Sequence, residues 1–290
     1  MRTLLLVLLV CASFSLKAEQ LPAWRATKGL DAPHLGQVWD THAQRWLSAD
    51  QLVTALAGSA HVVVGEKHDN PDHHQLQLWL LEQLQERRPQ AALIMEMLEP
   101  SQQVAVNALQ GQPLPDSSLL QEQLNWQSGW DWSLYSPLVS WGLQVPQRLL
   151  AGNLGQQQML HRYRKPPPVS ARYSAAARAE LEQTLLDSHC GKLGAERMPS
   201  MLAIQQGRDE QMARALAEAP TPALLLAGAY HARRDLGMPL HWQQQRGETP
   251  TVVLLLEAGQ GQLPGTEQAD FVWLTPALPE QDYCAQWGRN

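Results

Sequence analysis

The sequence predicts an α/β protein with a mixed, mostly parallel central sheet flanked by helices and a mainly helical insertion. Three observations carry this. The runs Val62-Val63-Val64, Leu224-Leu225-Leu226 and Val252-Val253-Leu254-Leu255-Leu256 have no polar face, as expected of strands buried on both sides of a parallel sheet. Helical patterns alternate with such runs, which is βα order. With 290 residues and 44% hydrophobic content, the chain has apolar material for one large domain, and we read one over 19–290.

Residues 1–18 have the shape of a secretory signal: Arg2, an apolar run over 4–16 and Ala18, too short to span a membrane. Leu8-Leu9-Val10-Cys11 also resembles a bacterial lipoprotein signal that ends before Cys11, although Val10 departs from the small residue usual there. Both readings send the chain to the periplasm or outer membrane, one soluble and one with a lipid tether. Removing 1–18 takes away Arg2 and Lys17, leaving 20 basic against 28 acidic residues and a formal charge of −8. So acidic a chain has no electrostatic basis for binding nucleic acid. In an oxidising compartment Cys190 and Cys284 form an even pair, which favours a disulfide tying the C-terminal tail to a central helix; two buried free thiols are the alternative.

Along the mature chain, 38–40 starts a small edge strand and Ser48-Ala49-Asp50 opens a helix to residue 57. A strand over 61–65 and a helix over 71–88 make the first βα unit, with Asn70 as N-cap and Pro71 at the first helical position. A strand over 91–96 follows, then helices over 101–109 and near 119–124. Trp126, Trp130, Trp132 and Trp141 surround Tyr135; core packing is the preferred reading, a cover for a flat ligand the other. Ser136-Pro137 reads as N-cap and first helical residue, which leaves Tyr135 outside the helix with its phenol free. A strand over 148–152 and a helix over 156–163 carrying His161 precede Pro166-Pro167-Pro168, a stiff spacer between two lobes. Helices over 174–189 and 199–218 come next, the second with Met201, Gln205, Arg208, Asp209 and Met212 on or beside its inward stripe. Strands over 223–228, 251–257 and 270–275 complete the sheet.

Two strand ends carry the chemistry. Glu66 and His68 stand at i and i+2 after Gly65, so an extended backbone turns both side chains to one face. Tyr230 and His231 follow Gly228 in the same way, and the ends of parallel strands open into a ligand crevice. Glu96 ends a third strand, and His73 and His74 lie in the first turn of the helix after Glu66. The plain alternative is that these carboxylates and imidazoles cap the following helices. His34, His42 and His241 read as surface residues.

At these residues the chain resembles the ChaN-like haem-binding uptake family, in the superfamily of the Tiki and TraB proteins and the erythromycin esterases. The resemblance runs from Val62-Val63-Val64-Gly65-Glu66-Lys67-His68 through Met95-Glu96-Met97, Trp132-Ser133-Leu134-Tyr135-Ser136-Pro137-Leu138 and Gln205-Gln206-Gly207-Arg208-Asp209. It continues through Gly228-Ala229-Tyr230-His231-Ala232-Arg233-Arg234-Asp235 to Asp270-Phe271-Val272-Trp273 and Cys284. It implies an exported haem-binding protein, often a lipoprotein, that ligates haem iron through tyrosine and pairs two haems across a homodimer. Tyr135 is the position that takes the iron-ligand role, with His161 supporting it from the same or the partner chain. Tyr230 and His231 would line the site, and Arg233 or Arg234 would pair the propionates. In Tiki-like relatives the segments matching Glu66, His68 and His231 bind a divalent metal for hydrolysis. A metal-dependent hydrolase in the same pocket is therefore the alternative, and an envelope scaffold a third reading.

Overall fold

The computed structural model describes residues 20–242 and 249–285; the signal segment 1–18 and Cys11 lie outside the described residues. Its strands are β1 (Val38–Asp40), β2 (Arg45–Leu47), β3 (His61–Glu66), β4 (Ala92–Met95), β5 (Arg148–Ala151), β6 (Ala223–Gly228), β7 (Thr251–Glu257) and β8 (Phe271–Thr275). They form one sheet in the order β2-β1-β8-β7-β3-β6-β4-β5. From β8 to β5 every neighbouring pair is parallel, and β1 and β2 are added antiparallel. The expected edge strand β1 thus lies one place in from the edge, because β2 pairs along it.

The helices are α1 (Ala49–Leu56), α2 (Pro71–Arg87), α3 (Gln103–Leu109), α4 (Ser117–Gln123), α5 (Trp132–Gln144), α6 (Gln156–Arg164), α7 (Ala175–Ser188), α8 (Met198–Glu218) and α9 (Ala229–Ala232). None of them is long and apolar enough to cross a membrane. Side chains alternate across the sheet, so Val62, Val64, Leu224 and Leu226 pack with α1, α2 and α5 on one face. Val63, Leu225 and Leu254 pack with Met212 and Leu216 of α8 on the other. β3 and β6 are buried along their whole length, which is why their sequences show no polar period.

Two local expectations differ from the structure. Helix α5 begins a turn earlier than Ser136-Pro137 suggests, because Asp131 is the N-cap and its side chain accepts from Ser133 N. Tyr135 is therefore inside the helix and 1% exposed, with Pro137 in the helix interior. The Pro166-Pro167-Pro168 run does not separate two lobes: it crosses exposed surface between α6 and α7, and both of these helices pack against α8. The Cys190–Cys284 disulfide is present and ties the end of α7 to the tail.

Candidate functional site

The parallel strands end at one rim, where β3 presents Glu66, β6 Gly228 and β7 Glu257, with Glu96 just past β4. Above this rim lies a cavity of about 710 Å³. Its walls are largely apolar: Leu181 and Leu185 from α7, Met201 and Ile204 from α8, Met159 from α6, and Leu255 and Leu256 from β7. The cavity volume falls within the ~300–1,000 Å³ usual for small-molecule sites.

Two glycines make the site possible. A Cβ on Gly65 would lie 2.7 Å from Ala232 Cβ and 3.1 Å from the Ala229 backbone, so its absence lets α9, which carries Tyr230 and His231, sit against β3. A Cβ on Gly228 would lie 2.7 Å from His68 Nε2 and 3.6 Å from Glu96 Oε2. Glycine there keeps open the space that these two polar atoms face.

Glu66 anchors the first half of the polar floor. Its Oε1 accepts the Tyr135 hydroxyl at 2.6 Å and lies 3.0 Å from His68 Nδ1, while Oε2 lies 3.3 Å from His74 Nδ1. Burial works against the charge, but the His74 and His68 imidazoles and the Tyr135 hydroxyl overcome it and hold the carboxyl at about 2. Burial also opposes the charge on His68, yet the Glu66 bond and the fields of Glu96 and Asp69 push that imidazole up to about 9. Trp130 meets the His68 ring edge-on, centroids 4.9 Å apart. Of the tryptophans around Tyr135, Trp130 lines the cavity, while Trp126 and Trp141 are core.

The second half is built from α8 and α9. His231 Nδ1 lies 2.6 Å from Asp209 Oδ1, its Nε2 lies 3.5 Å from Glu96 Oε1, and the Gln205 amide lies within 3.3 Å of both ring nitrogens. Burial disfavours the imidazolium, but the carboxylates of Glu96 and Asp209 raise the His231 pKa. Glu96 also accepts from Gly228 N at 2.8 Å, so it is a floor residue rather than a helix cap. Asp209 continues to the Tyr173 hydroxyl at 3.3 Å, which in turn lies 2.9 Å from His241 Nε2. His241, expected as a surface residue, is thus bonded into this chain.

The structure brings Glu66, His68, Glu96, Tyr230 and His231 together on one cavity. It does not bring the others. The Tyr135 oxygen points at Glu66, and burial together with that carboxylate raises its pKa far above that of an ordinary phenol. His161 is exposed on α6 and lines a separate pocket against α8. Arg233 is engaged by Glu180 and Asp235, and Arg234 by Asp270 and the Thr266 carbonyl. Two cations reach the cavity: Lys67, which is held by Glu257 at 3.1 Å, and Arg208, whose Nε is buried with no hydrogen-bond partner. Its place on the inward stripe of α8 was the signal for it. His73 is spent on structure: Nδ1 accepts from Lys67 N and Nε2 meets Thr275 Oγ1, and burial keeps the ring neutral with a pKa near 3. Among the described residues no group of three or more His, Cys, Asp or Glu side chains is placed to hold a metal ion.

The family described as "Haem-binding uptake, Tiki superfamily, ChaN" matches residues 52–241. Among solved structures the fold is similar to Campylobacter jejuni ChaN with cofacial haem, with a TM-score of 0.72 and 24% identity over 81% of this chain and 95% of that one. A more distant likeness is the erythromycin esterase EreC, with a TM-score of 0.45 and 15% identity over 92% of this chain and 86% of that one. A Bacillus cereus protein follows, with a TM-score of 0.41 and 11% identity over 71% of this chain and 68% of that one. No curated protein matches.

Proposed function

The chain belongs to the ChaN family of haem-binding uptake proteins in the Tiki superfamily, and from that premise we propose that it takes haem into the strand-end cavity as an exported component of haem and iron uptake. The observation that carries this reading is the cavity itself: apolar walls, a polar floor and one buried guanidinium nitrogen that lacks a partner. These fit the group. Leu181, Leu185, Ile204 and Leu255 suit a porphyrin face, and Arg208 suits a propionate. Haem supplies the iron, whose redox and ligand chemistry the protein tunes.

For the phenolate oxygen that the family resemblance implies, Tyr230 is the tyrosine with access. It lines the cavity and is 42% exposed, whereas Tyr135 is sealed beneath Glu66. The disulfide supports an oxidising compartment, in line with the proposed periplasmic or outer-membrane location. The cofacial haems of the C. jejuni protein extend the proposal to a homodimer of this chain, with exposed His161 as a contribution across it.

Haemin titrated into the mature protein should give a saturable, shifted Soret band. Tyr230→Phe should remove the tyrosinate charge-transfer feature, and Arg208→Gln should weaken binding by about tenfold, the loss of roughly one charge-assisted contact. A wild-type protein that leaves the haemin spectrum unchanged would end this reading.

A second reading keeps the same cavity for acid–base hydrolysis by Glu66, His68 and His231. The two imidazole–carboxylate pairs on the cavity, His68 with Glu66 and His231 with Asp209, favour it. Turnover of an activated ester or peptide by the haem-free chain would decide for it.

A further inference from the structure

We propose that the strand-end cavity is also a binding site for an aliphatic monocarboxylate, with Arg208 holding the carboxylate and the walls of α7, α8 and β7 taking the alkyl chain. This goes beyond the haem reading and does not depend on it.

Charge matching singles out Arg208. Each acid on the cavity already has partners: Glu66 accepts the Tyr135 hydroxyl and lies beside His68 and His74, Glu96 accepts from Gly228 N and lies 3.5 Å from His231 Nε2, and Glu257 accepts from Lys67 and Asn70. Arg208 is left over. Its Nε is buried without a partner, and its Nη2 reaches the Met159 thioether at 3.8 Å, a weak acceptor. Glu96 and Glu99 feel its field, but neither pairs with it among the described residues. The neighbouring Arg162 shows the contrast, since Glu210 and the Ala203 carbonyl both take its hydrogen bonds. A buried donor left without an acceptor is costly, and a ligand oxygen at Arg208 would remove that cost.

The unmet donor fixes the headgroup. Nε and an Nη on one edge of a guanidinium match the two oxygens of a carboxylate side by side. One unpaired cation calls for one negative charge, whereas a phosphate monoester brings about 1.5 to 2. The walls fix the body of the ligand. Met201, Ile204 and Arg208 recur at helical spacing on α8 and all line the cavity, so an apolar strip leads away from the charge for about 10 Å at 1.5 Å per residue. Leu181 and Leu185 of α7 and Leu255 of β7 add aliphatic surface to the same space. An unbranched alkyl chain ending in a carboxylate meets both demands.

Hexanoate, octanoate and decanoate, each below its micellar concentration, are titrated calorimetrically into the full mature protein, with octanol as the uncharged analogue of octanoate. Affinity should rise about fourfold per added methylene, as expected for moving each CH₂ out of water. Octanol should bind about tenfold more weakly than octanoate, a comparison within the wild type that does not depend on how any variant folds. Arg208→Gln should abolish that preference and leave octanol binding as it was, which shows the cavity intact. Arg214→Gln, at an exposed position on the same helix, should change neither. Equal affinity for octanoate and octanol, a preference that survives in Arg208→Gln, or no binding of any of these ligands overturns the proposal. Haemin titrated against saturating decanoate separates this proposal from the haem reading. Weakened haemin binding places both ligands at Arg208; unchanged haemin binding, with the Arg208 dependence of octanoate intact, leaves the carboxylate site standing and moves haem out of the cavity. A protein that takes decanoate but no haemin ends the haem reading and not this one.

Discussion

A carboxylate with no exposed surface is tolerated at Glu66 because three groups converge on its two oxygens. The arrangement has a pH signature in the haem-free protein. The Glu66 carboxyl falls from an ordinary 4.5 to about 2, so its contribution is complete above pH 4.5 and is lost as pH falls through 2. The shift corresponds to roughly 3 kcal/mol at most. The His68 imidazole rises from 6.5 to about 9, so its contribution is complete below pH 6.5 and is lost as pH rises through 9. Thermal melts of haem-free protein should therefore peak between about pH 4.5 and 6.5 on this account, and Glu66→Gln should flatten both flanks. Parallel profiles for the two proteins would remove Glu66 from this role. Glu66 and His68 were legible in the sequence because two-residue spacing at a strand end has one geometric meaning. Arg233 and Arg234 misled because they neighbour His231 in sequence, whereas α9 makes about one turn and the chain then carries them outward to Glu180 and Asp270. Nothing local distinguishes an arginine that finds an acid 53 positions away.

Helix starts were legible at α1, α2, α6 and α7 but not at α5, where two start signals compete. Ser136-Pro137 and Asp131 both carry N-terminal signals, and only packing chooses between them. Starting at Asp131 buries Tyr135, Leu138 and Val139 against α2 and the sheet, and that burial outweighs a proline in the sixth helical position. The cost is a missing bond: Pro137 has no N–H for the Ser133 carbonyl, although both residues are exposed, so water can serve that oxygen. Pro137→Ala should accordingly stabilise the protein by about 1–2 kcal/mol, less than the ~3 kcal/mol of an interior proline because the unfolded chain gains freedom as well. A urea midpoint that rises at constant slope would show it; an unchanged or lower midpoint would mean that the proline ring packs better than its exposure suggests. β3 and β6, by contrast, could be read to within a residue, since strands buried on both faces leave an uninterrupted aliphatic run. Their adjacency could not, because the hydrogen bonds that pair them carry no side-chain code.

For the molecule as a whole, α/β class, strand-end site and disulfide were visible in the chain, whereas strand order and the cavity walls emerge only from long-range packing. Helix α7 is the clearest case. It supplies Leu181, Thr184, Leu185, Ser188 and His189 to the cavity, yet its own apolar contacts are to a small satellite cluster around Tyr173, Leu202 and Leu236 rather than to the main core. Cys190 follows directly on this helix and bonds to Cys284, which pins the tail across the same side, where the Tyr283 hydroxyl donates to Asp69 beside His68. A crosslink between residues 94 positions apart restricts the unfolded chain strongly, and loss of such a bond typically costs about 2–5 kcal/mol. Replacing both cysteines by serine should lower stability by an amount in that range, read from urea denaturation. The loss should also be felt at the cavity, because the wall that it secures has little core of its own. Haem transfer from the variant to an apoprotein acceptor should be faster than from the wild type under conditions where both remain folded. Equal transfer rates, with stability reduced, would mean that packing on α8 alone holds α7 in place and that the crosslink serves the tail.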